Sequence, residues 1–472
     1  MILFLQVGYS FIIATRIFKM VNTLHTDDIR SRFSSAMSAM YRQEVPLYSD
    51  LIDLVKRVNN QVLNAKPLLK QQLIAANELN RIDIERHGAI RLGTGVELNN
   101  IRRLFAVMGM YPVGYYDLSV AGLPVHSTAF RPTDKTSLSR NPFRVFTSLL
   151  RLELIEDRQL AKEAEKILSK RKIMTTRALE LIDIAELNHG LNEVQTKEFI
   201  DEALETFRWH SQATVNKNIY QRFRGAHGLI ADVVSFHGPH INHLTPRALD
   251  IDLAQQAMID QGLAVKATIE GPPCRQTQIL LRQTSFKALA ENITFLDDVA
   301  GMHTARFGEI EQRGAALTKK GRDLYDKLLN SIDQDIKETN PSQYSLELVK
   351  AFELFPNDIR ELHDEKLAFF KYHTDIKALI TEGDKTLKEL IDIGALILTP
   401  QIYEDFLPVS AAGIFQSNLN NNSQSNYTQQ SNQKLFEESL GANVIDEMTL
   451  YKEIEESSLK EALFVIESEK IL

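Results

Sequence analysis

Residues 81–110, "RIDIERHGAIRLGTGVELNNIRRLFAVMGM", carry the pattern that decides the fold class. The first half reads as a strand running into a glycine-rich turn. The second half is a short amphipathic helix closed by Gly109. "YPVGYYDLS" (111–119), "VHSTAFRP" (125–132) and "RVFTSLLRLELI" (144–155) follow as strands separated by turn residues, giving a β-α-β-β-β order. The same order returns after residue 238. "PHINHLTPR" (239–247) reads as a short strand and turn, and "ALDIDLAQQAMIDQG" (248–262) as a helix closed by Gly262. "LAVKATIEG" (263–271), "RQTQILLRQTS" (275–285) and "HTARFGEIEQRG" (303–314) read as strands. Each unit opens with a histidine followed four residues later by an arginine, His87 with Arg91 and His243 with Arg247. That self-similarity predicts a duplicated β-α-β-β-β unit.

The expected organisation is an α+β chain in seven parts. An N-terminal extension (1–25) precedes a helix and the first unit (26–156). A helical insertion (157–230) leads to the second unit (231–314). A helical region with a site-covering loop (315–415) follows, then an Asn/Gln/Ser-rich tract (416–434) and a helical tail (435–472). The tract "QSNLNNNSQSNYTQQSNQ" holds too little apolar content to pack and is expected to be disordered.

Bulk composition narrows the function classes. At 472 residues with 44% hydrophobic and 25% charged residues, the chain is an ordinary globular protein of several domains or one elaborated fold. A net charge of -8 without a basic stripe argues against nucleic acid or an anionic membrane as partner. The single cysteine, Cys274, excludes an intramolecular disulfide and a cysteine-built zinc site, and is expected to be a partly buried, inert thiol. These features favour a cytoplasmic setting. "MILFLQVGYSFIIATRIFK" at the start is interrupted by Gln6, Gly8 and Ser10 and is shorter than a spanning helix requires. With Met20 as a second possible start, an upstream start codon is favoured over export. The sequence specifies no oligomeric state.

"FHGPHINHLTPR" (236–247) places His237, His240 and His243 within seven residues. Pro239 disfavours a helix that presents all three on one face. On an extended chain His240 and His243 face opposite sides, and His237 and His243 lie about 20 Å apart at ~3.3 Å per residue. Metal–nitrogen bonds are only about 2 Å long, so this segment contributes one ligand and its partners come from elsewhere. His87 in the first unit is the natural second. In "RFGEIEQRG", Glu309 and Glu311 share one strand face and offer a carboxylate, although beside Arg306 and Arg313 they also suit a solvated ion-pair face.

Together "RHGAIRLGT", "MYPVGYYDLS", "HSTAFRP", "NPFRVFTSLL", "FHGPHINHLTPR", "FGEIEQRGAALTKKGRDLYD" and "YEDFLPVSAAGIF" resemble the 2-oxoadipate dioxygenase/decarboxylase family, also called hydroxyglutarate synthase. The resemblance runs from about Thr26 to beyond Phe415. It implies a fold similar to the vicinal-oxygen-chelate enzymes, in which paired β-α-β-β-β modules form a curved sheet enclosing a metal. It implies Fe(II) held by His87, His243 and Glu311, with Glu309 as fallback. Three protein ligands leave positions open for a 2-oxo acid and O2. Arg91 is implied as the substrate-binding, catalytic arginine, since a guanidinium grips a carboxylate through two parallel hydrogen bonds. Val409 and Ser410 are implied as far substrate contacts. His87 and His243 would also touch the chelated substrate, and Arg247, His237, His240 and Gln276 are candidate supporting groups. The implied reaction converts 2-oxoadipate and O2 to 2-hydroxyglutarate and CO2 in lysine breakdown. A non-redox isomerase or lyase on the same paired modules, and a protein that merely sequesters an oxo acid, are the alternatives. The extension and the Asn/Gln/Ser tract depart from the family pattern.

Overall fold

The computed structural model describes residues 23–286, 290–304, 306–333, 336–378, 385–407 and 426–469. Two helices, Thr26–Glu44 and Leu47–Ala65, stand where a single N-terminal helix was expected. Pro46 separates them because it offers no amide hydrogen to the preceding turn. Strand β1 (Arg86–Leu92) follows, and then the helix Gly95–Val107. Thr94 caps that helix by accepting from the Glu97 amide, and Gly109, at φ +65°, turns the chain out of it. Strands β2 (Tyr111–Asp117), β3 (Val125–Arg131) and β4 (Arg144–Leu150) complete the first unit in the predicted order.

These strands form a five-stranded mixed sheet in the order β2-β3-β4-β1-β5, where β5 is Leu244–Pro246. β1 runs parallel to β4, with His87 opposite Arg144, and antiparallel to β5, with His87 opposite Thr245. The first histidine therefore sits on an interior strand, and the chain bearing the second is sewn to its edge. Gly88 makes that approach possible. A Cβ there would lie 2.5 Å from Ile241 Cδ1 and 3.1 Å from the His243 carbonyl oxygen.

The second region departs further from expectation. β6 (Leu281–Ser285) and β9 (Glu309–Arg313) pair antiparallel, with Gln283 opposite Glu311. β9 also meets the end of β5 through a parallel bridge, Arg247 to Glu311. The stretch 263–271 forms no strand, only isolated bridges from Val265 to Phe286 and Glu270 to Gln283. Pro272 and Pro273 cannot donate to a ladder, and Gly271 takes φ +99°, so pairing ends there. A hairpin unforeseen from sequence, β7 (Glu291–Thr294) with β8 (Ala300–His303), is inserted before β9.

Helices Arg158–Leu168, Thr176–Asn188, Glu193–Glu205 and Lys217–Ala226 fill the helical insertion. The region after 315 is not purely helical. β10 (Phe370–Thr374) and β11 (Leu396–Pro400) form a hairpin in "FKYHT" and "LILTP", packed on the tail helix Glu447–Glu469. The second half of the Asn/Gln/Ser tract lies in a helix, Asn426–Leu440, which runs past the end of the tract to the apolar anchors Phe436 and Leu440 in the main core. Residues 416–425 and 1–22 lie outside the described residues. Cys274 is exposed, because it sits in the irregular loop before β6 rather than on a strand. Among the described residues no helix is long and apolar enough to cross a membrane.

Candidate metal centre

The three histidines of "FHGPHINHLTPR" go to three places. His237 is exposed beside His210, with ring centroids 6.0 Å apart. His240 is buried against Trp209, 3.4 Å from Asp232. His243 meets His87, their rings 5.2 Å apart and nearly perpendicular. One ligand atom from each of His87, His243 and Glu309 falls within 4.8 Å of the others, and all three residues are buried.

Each comes from a different segment: β1, the residue before β5, and β9. On β1, His87 Nε2 lies 3.0 Å from Glu309 Oε1. That oxygen also accepts from Thr245 Oγ1 on β5 and Gln283 Nε2 on β6, each at 3.0 Å. The Tyr41 hydroxyl ties the flanks together, 3.0 Å from the Asn242 carbonyl oxygen and 3.1 Å from that of Phe307. His243 Nε2 is 3.8 Å from Glu309 Oε1, and neither His243 ring nitrogen has a hydrogen-bond partner among the described residues. A buried imidazole without partners is costly, on the order of 1–3 kcal/mol.

Glu311 stands on the other side of the His87 ring. Its Oε2 lies 2.9 Å from His87 Nδ1, yet Nδ1 makes no aligned hydrogen bond, so this is a close charged contact rather than a formed bond. Arg313 grips Glu311 with both arms, Nε to Oε1 at 2.8 Å and Nη2 to Oε2 at 2.9 Å. The two acids expected to compete for one role thus occupy different positions: Glu309 with the two histidines, Glu311 with Arg313.

The electrostatics separate the two histidines as well. Burial pushes His243 down to about 4, so its imidazole is neutral at pH 7, with one ring nitrogen carrying a free lone pair. Burial also acts against a charge on His87, but Glu311 and Glu309 outweigh it and raise that histidine. Glu309 stays ionised: burial opposes its charge, and His243 and His87 more than compensate.

Around this group lies a buried ionic lattice. Glu85, just before β1, pairs with Arg81, Arg144 and Arg247. Glu404 pairs with Arg81 and Arg144. Asp405 accepts two bonds from Arg131 and one from the Tyr451 hydroxyl. Arg313 Nη1 donates to the carbonyls of Tyr403 and Asp405, which roots the 403–407 segment beside the site. Phe406 from this segment stands edge-on to His87, 5.0 Å between centroids. Val409 and Ser410, which follow it, lie outside the described residues.

Arg91 lies two side-chain steps beyond His87 on the same face of β1. Its Nη1 donates to Asp232 Oδ2 at 2.7 Å. Its charge is close enough to disfavour protonation of His243 and His240. Arg247 has no such freedom, being buried and paired with Glu85 and Glu78. Gln276 is exposed on the loop before β6, and the glutamine that reaches the centre is Gln283, seven residues on, because only β6 lies against β9. Sequence reasoning placed Arg313 beside the two acids but missed Thr245, Tyr41 and Phe406. Thr245 was within sight, directly inside the "HLTPR" motif; the rest gain a role only through long-range pairing.

A buried carboxylate and two imidazoles brought together this way could hold a metal ion. Similarity to known proteins assigns the chain to a class. A family model described as 2-oxoadipate dioxygenase/decarboxylase matches residues 33–418. The chain is 53% identical over 444 residues to the 2-oxoadipate dioxygenase/decarboxylase of Pseudomonas putida, covering 92% of this chain and 96% of that one. It is 52% identical over 444 residues to the protein of that name from Escherichia coli, covering 93% and 98%. The crystal structure of the Pseudomonas putida hydroxyglutarate synthase in complex with 2-oxoadipate superimposes with a TM-score of 0.87 at 51% identity, covering 93% of this chain and 98% of that one. The chain is therefore an enzyme, an oxidoreductase of the oxygenase kind. It belongs to the 2-oxoadipate dioxygenase/decarboxylase family.

Proposed function

We propose that this enzyme is an Fe(II)-dependent dioxygenase and decarboxylase that converts 2-oxoadipate and O2 to 2-hydroxyglutarate and CO2 in lysine catabolism, in the cytoplasm. The reading is carried by the buried His87–His243–Glu309 group in a chain 53% identical to a protein of that name. The overall reaction balances with one decarboxylation: six carbons leave as five and one, and both oxygen atoms of O2 enter the products. Bound Fe(II) would supply the redox chemistry with O2 and a Lewis-acid anchor for the carboxylate and keto oxygens of the 2-oxo acid.

The residues fit such an ion. His243 is neutral with two unpartnered nitrogens, and Glu309 brings the negative charge that two imidazoles lack. Thr245 and Gln283 fix the Glu309 carboxylate, as supporting groups around a metal ligand do. The two acids face opposite nitrogens of His87, so only the acid facing the coordinating nitrogen shares the ion. The position of His243 supports Glu309, because its Nε2 lies 3.8 Å from that carboxylate. On this geometry Glu309 is the third ligand. Glu311, the residue implied by the family motif, then orients the far side of the His87 ring under the grip of Arg313.

Arg91 binds a substrate carboxylate through the guanidinium edge that Asp232 leaves open. Val409 and Ser410 are proposed to contact the far part of the substrate, beyond the root fixed by Arg313. The paired-module arrangement is likewise proposed: β9 meets β5 in parallel as β4 meets β1, and bridges at 265 and 270 stand where a further strand would pair with β6.

The test is anaerobic loading with Fe(II), followed by oxygen uptake and CO2 release with 2-oxoadipate. Absence of substrate-dependent O2 consumption sinks the dioxygenase reading, and equal turnover with Zn(II) or Ni(II) under anaerobic conditions replaces it with an isomerase or lyase. Iron content of Glu309→Ala and Glu311→Ala settles the carboxylate: loss in the first and retention in the second is expected, and the reverse result returns the role to Glu311.

A further inference from the structure

Arg91 is held along one edge only. Nη1 is engaged by Asp232 Oδ2 at 2.7 Å and by the Asn242 side-chain amide at 3.1 Å. Nε and Nη2 make no hydrogen bond among the described residues, and the side chain retains 18% exposure. Asp232 itself is firmly fixed. It lies on the helix Gly228–Ser235 and is buried. Its Oδ1 is 2.9 Å from His303 Nε2 and 3.4 Å from His240 Nε2. The chain continues from His303 Nδ1 to the Tyr220 hydroxyl at 2.8 Å, and Trp209 stacks parallel on the His303 ring at 5.9 Å. Burial disfavours the Asp232 carboxylate charge, but His240, Arg91 and His303 together hold it ionised well below the usual range.

We propose that Asp232, backed by His303 and Tyr220, is a positioning residue that holds Arg91 with its open edge presented to the carboxylate of the substrate. The inference rests on the reading of Arg91 as the carboxylate-binding arginine. Arginine is a long side chain whose rotamer freedom is lost on binding. Fixing it beforehand removes that cost from the binding step. A carboxylate on Nη1 also leaves Nε and Nη2 as the pair of parallel donors that a second carboxylate accepts side by side. The helix that bears Asp232 belongs to no part of the metal centre, so substrate grip and metal ligation are separable.

The test compares the Fe(II)-loaded wild-type enzyme with Asp232→Asn. Binding of 2-oxoadipate is measured anaerobically by calorimetry, and KM and kcat by oxygen uptake. Asp232→Asn is expected to weaken binding and raise KM about tenfold, with kcat within about twofold and iron content unchanged. Asp232→Glu is expected to recover part of the loss. Unchanged binding in Asp232→Asn overturns the proposal. Tighter binding also overturns it, since Asp232 is then a competitor for Arg91 rather than its anchor. Loss of iron together with loss of binding assigns Asp232 a purely structural role and overturns it too. If Asp232→Asn does not fold, His303→Gln serves: about threefold weaker binding supports the proposal and unchanged binding overturns it. Wild-type protein that binds 2-oxoadipate but consumes no O2 ends the dioxygenase reading while the binding comparison still judges Asp232. Wild-type protein that does not bind 2-oxoadipate ends both.

Discussion

The pairs His87/Arg91 and His243/Arg247 share one spacing and differ in nearly everything the fold does with them. His87 sits on a seven-residue strand in the interior of the sheet, between two carboxylates that raise its affinity for a proton. His243 sits just before a three-residue edge strand, with both nitrogens unpartnered among the described residues and its pKa lowered to about 4 by burial. Arg91 keeps one edge open beside the site. Arg247 is 5% exposed and donates to Glu85 at 3.0 Å inside the ionic lattice. A repeated spacing in sequence therefore does not fix a repeated role; the neighbours of each copy assign its chemistry.

Removing either histidine tests the part the copies share. His87→Ala and His243→Ala are each expected to abolish stoichiometric iron binding and, with it, oxygen uptake; metal analysis after Fe(II) loading checks this. Retention of iron by one variant would break the symmetry of the pair altogether. The next largest effect separates the arginines. Arg247→Ala exposes the buried Glu85 charge to reduced compensation and should cost about 3–5 kcal/mol of stability in denaturant titration. Arg91→Ala leaves the buried Asp232 with His303 as a remaining partner and should cost less, about 1–3 kcal/mol. In exchange Arg91→Ala should raise KM for 2-oxoadipate at least tenfold, whereas a folded Arg247 variant should leave KM nearly unchanged. An interchange of these outcomes would reverse the assignment of the two copies.

The smallest expected effect concerns acid. Burial works against the charge on Glu85 and Glu404, but Arg81 with Arg247 and Arg144 holds both well below the ordinary glutamate value of 4.5. With pKa values lower in the folded chain than in the unfolded one, the unfolded chain binds more protons in that window. Their contribution to stability is complete above about pH 4.5 and is lost as the pH falls below it. Thermal unfolding between pH 6 and pH 3 should show this loss, and the fall should be shallower in Glu404→Gln. A wild-type melting temperature that holds constant down to pH 3 would remove the lattice as a determinant of stability.

Much of this was legible in the chain itself. Strand, capped helix and strands of the first unit follow from alternation, Thr94 and Gly109, which act within a few residues. The one-ligand limit on the histidine cluster follows from Pro239 and the two-residue period of a strand. The repeated His-x-x-x-Arg spacing made His87 and His243 candidates, a shared strand face offered Glu309 or Glu311, and the family resemblance implied them as one ligand set. Tertiary structure decided the rest, because each remaining question depended on what comes near from far along the chain. The proposal of Glu309 over Glu311 rests on Arg313, which grips Glu311, and on Gln283, brought to Glu309 on β6. The glutamine expected at 276 was seven residues short, since only the β6–β9 pairing selects its partner. The 263–271 strand failed against Gly271 and two prolines, and the 370–374 strand arose only by pairing with 396–400. Asp232, 141 residues from Arg91, acquires a role from proximity alone. Local periodicity and turn chemistry are written in the sequence; the partner of a buried charge is fixed only when desolvation in the folded interior makes one neighbour matter more than water.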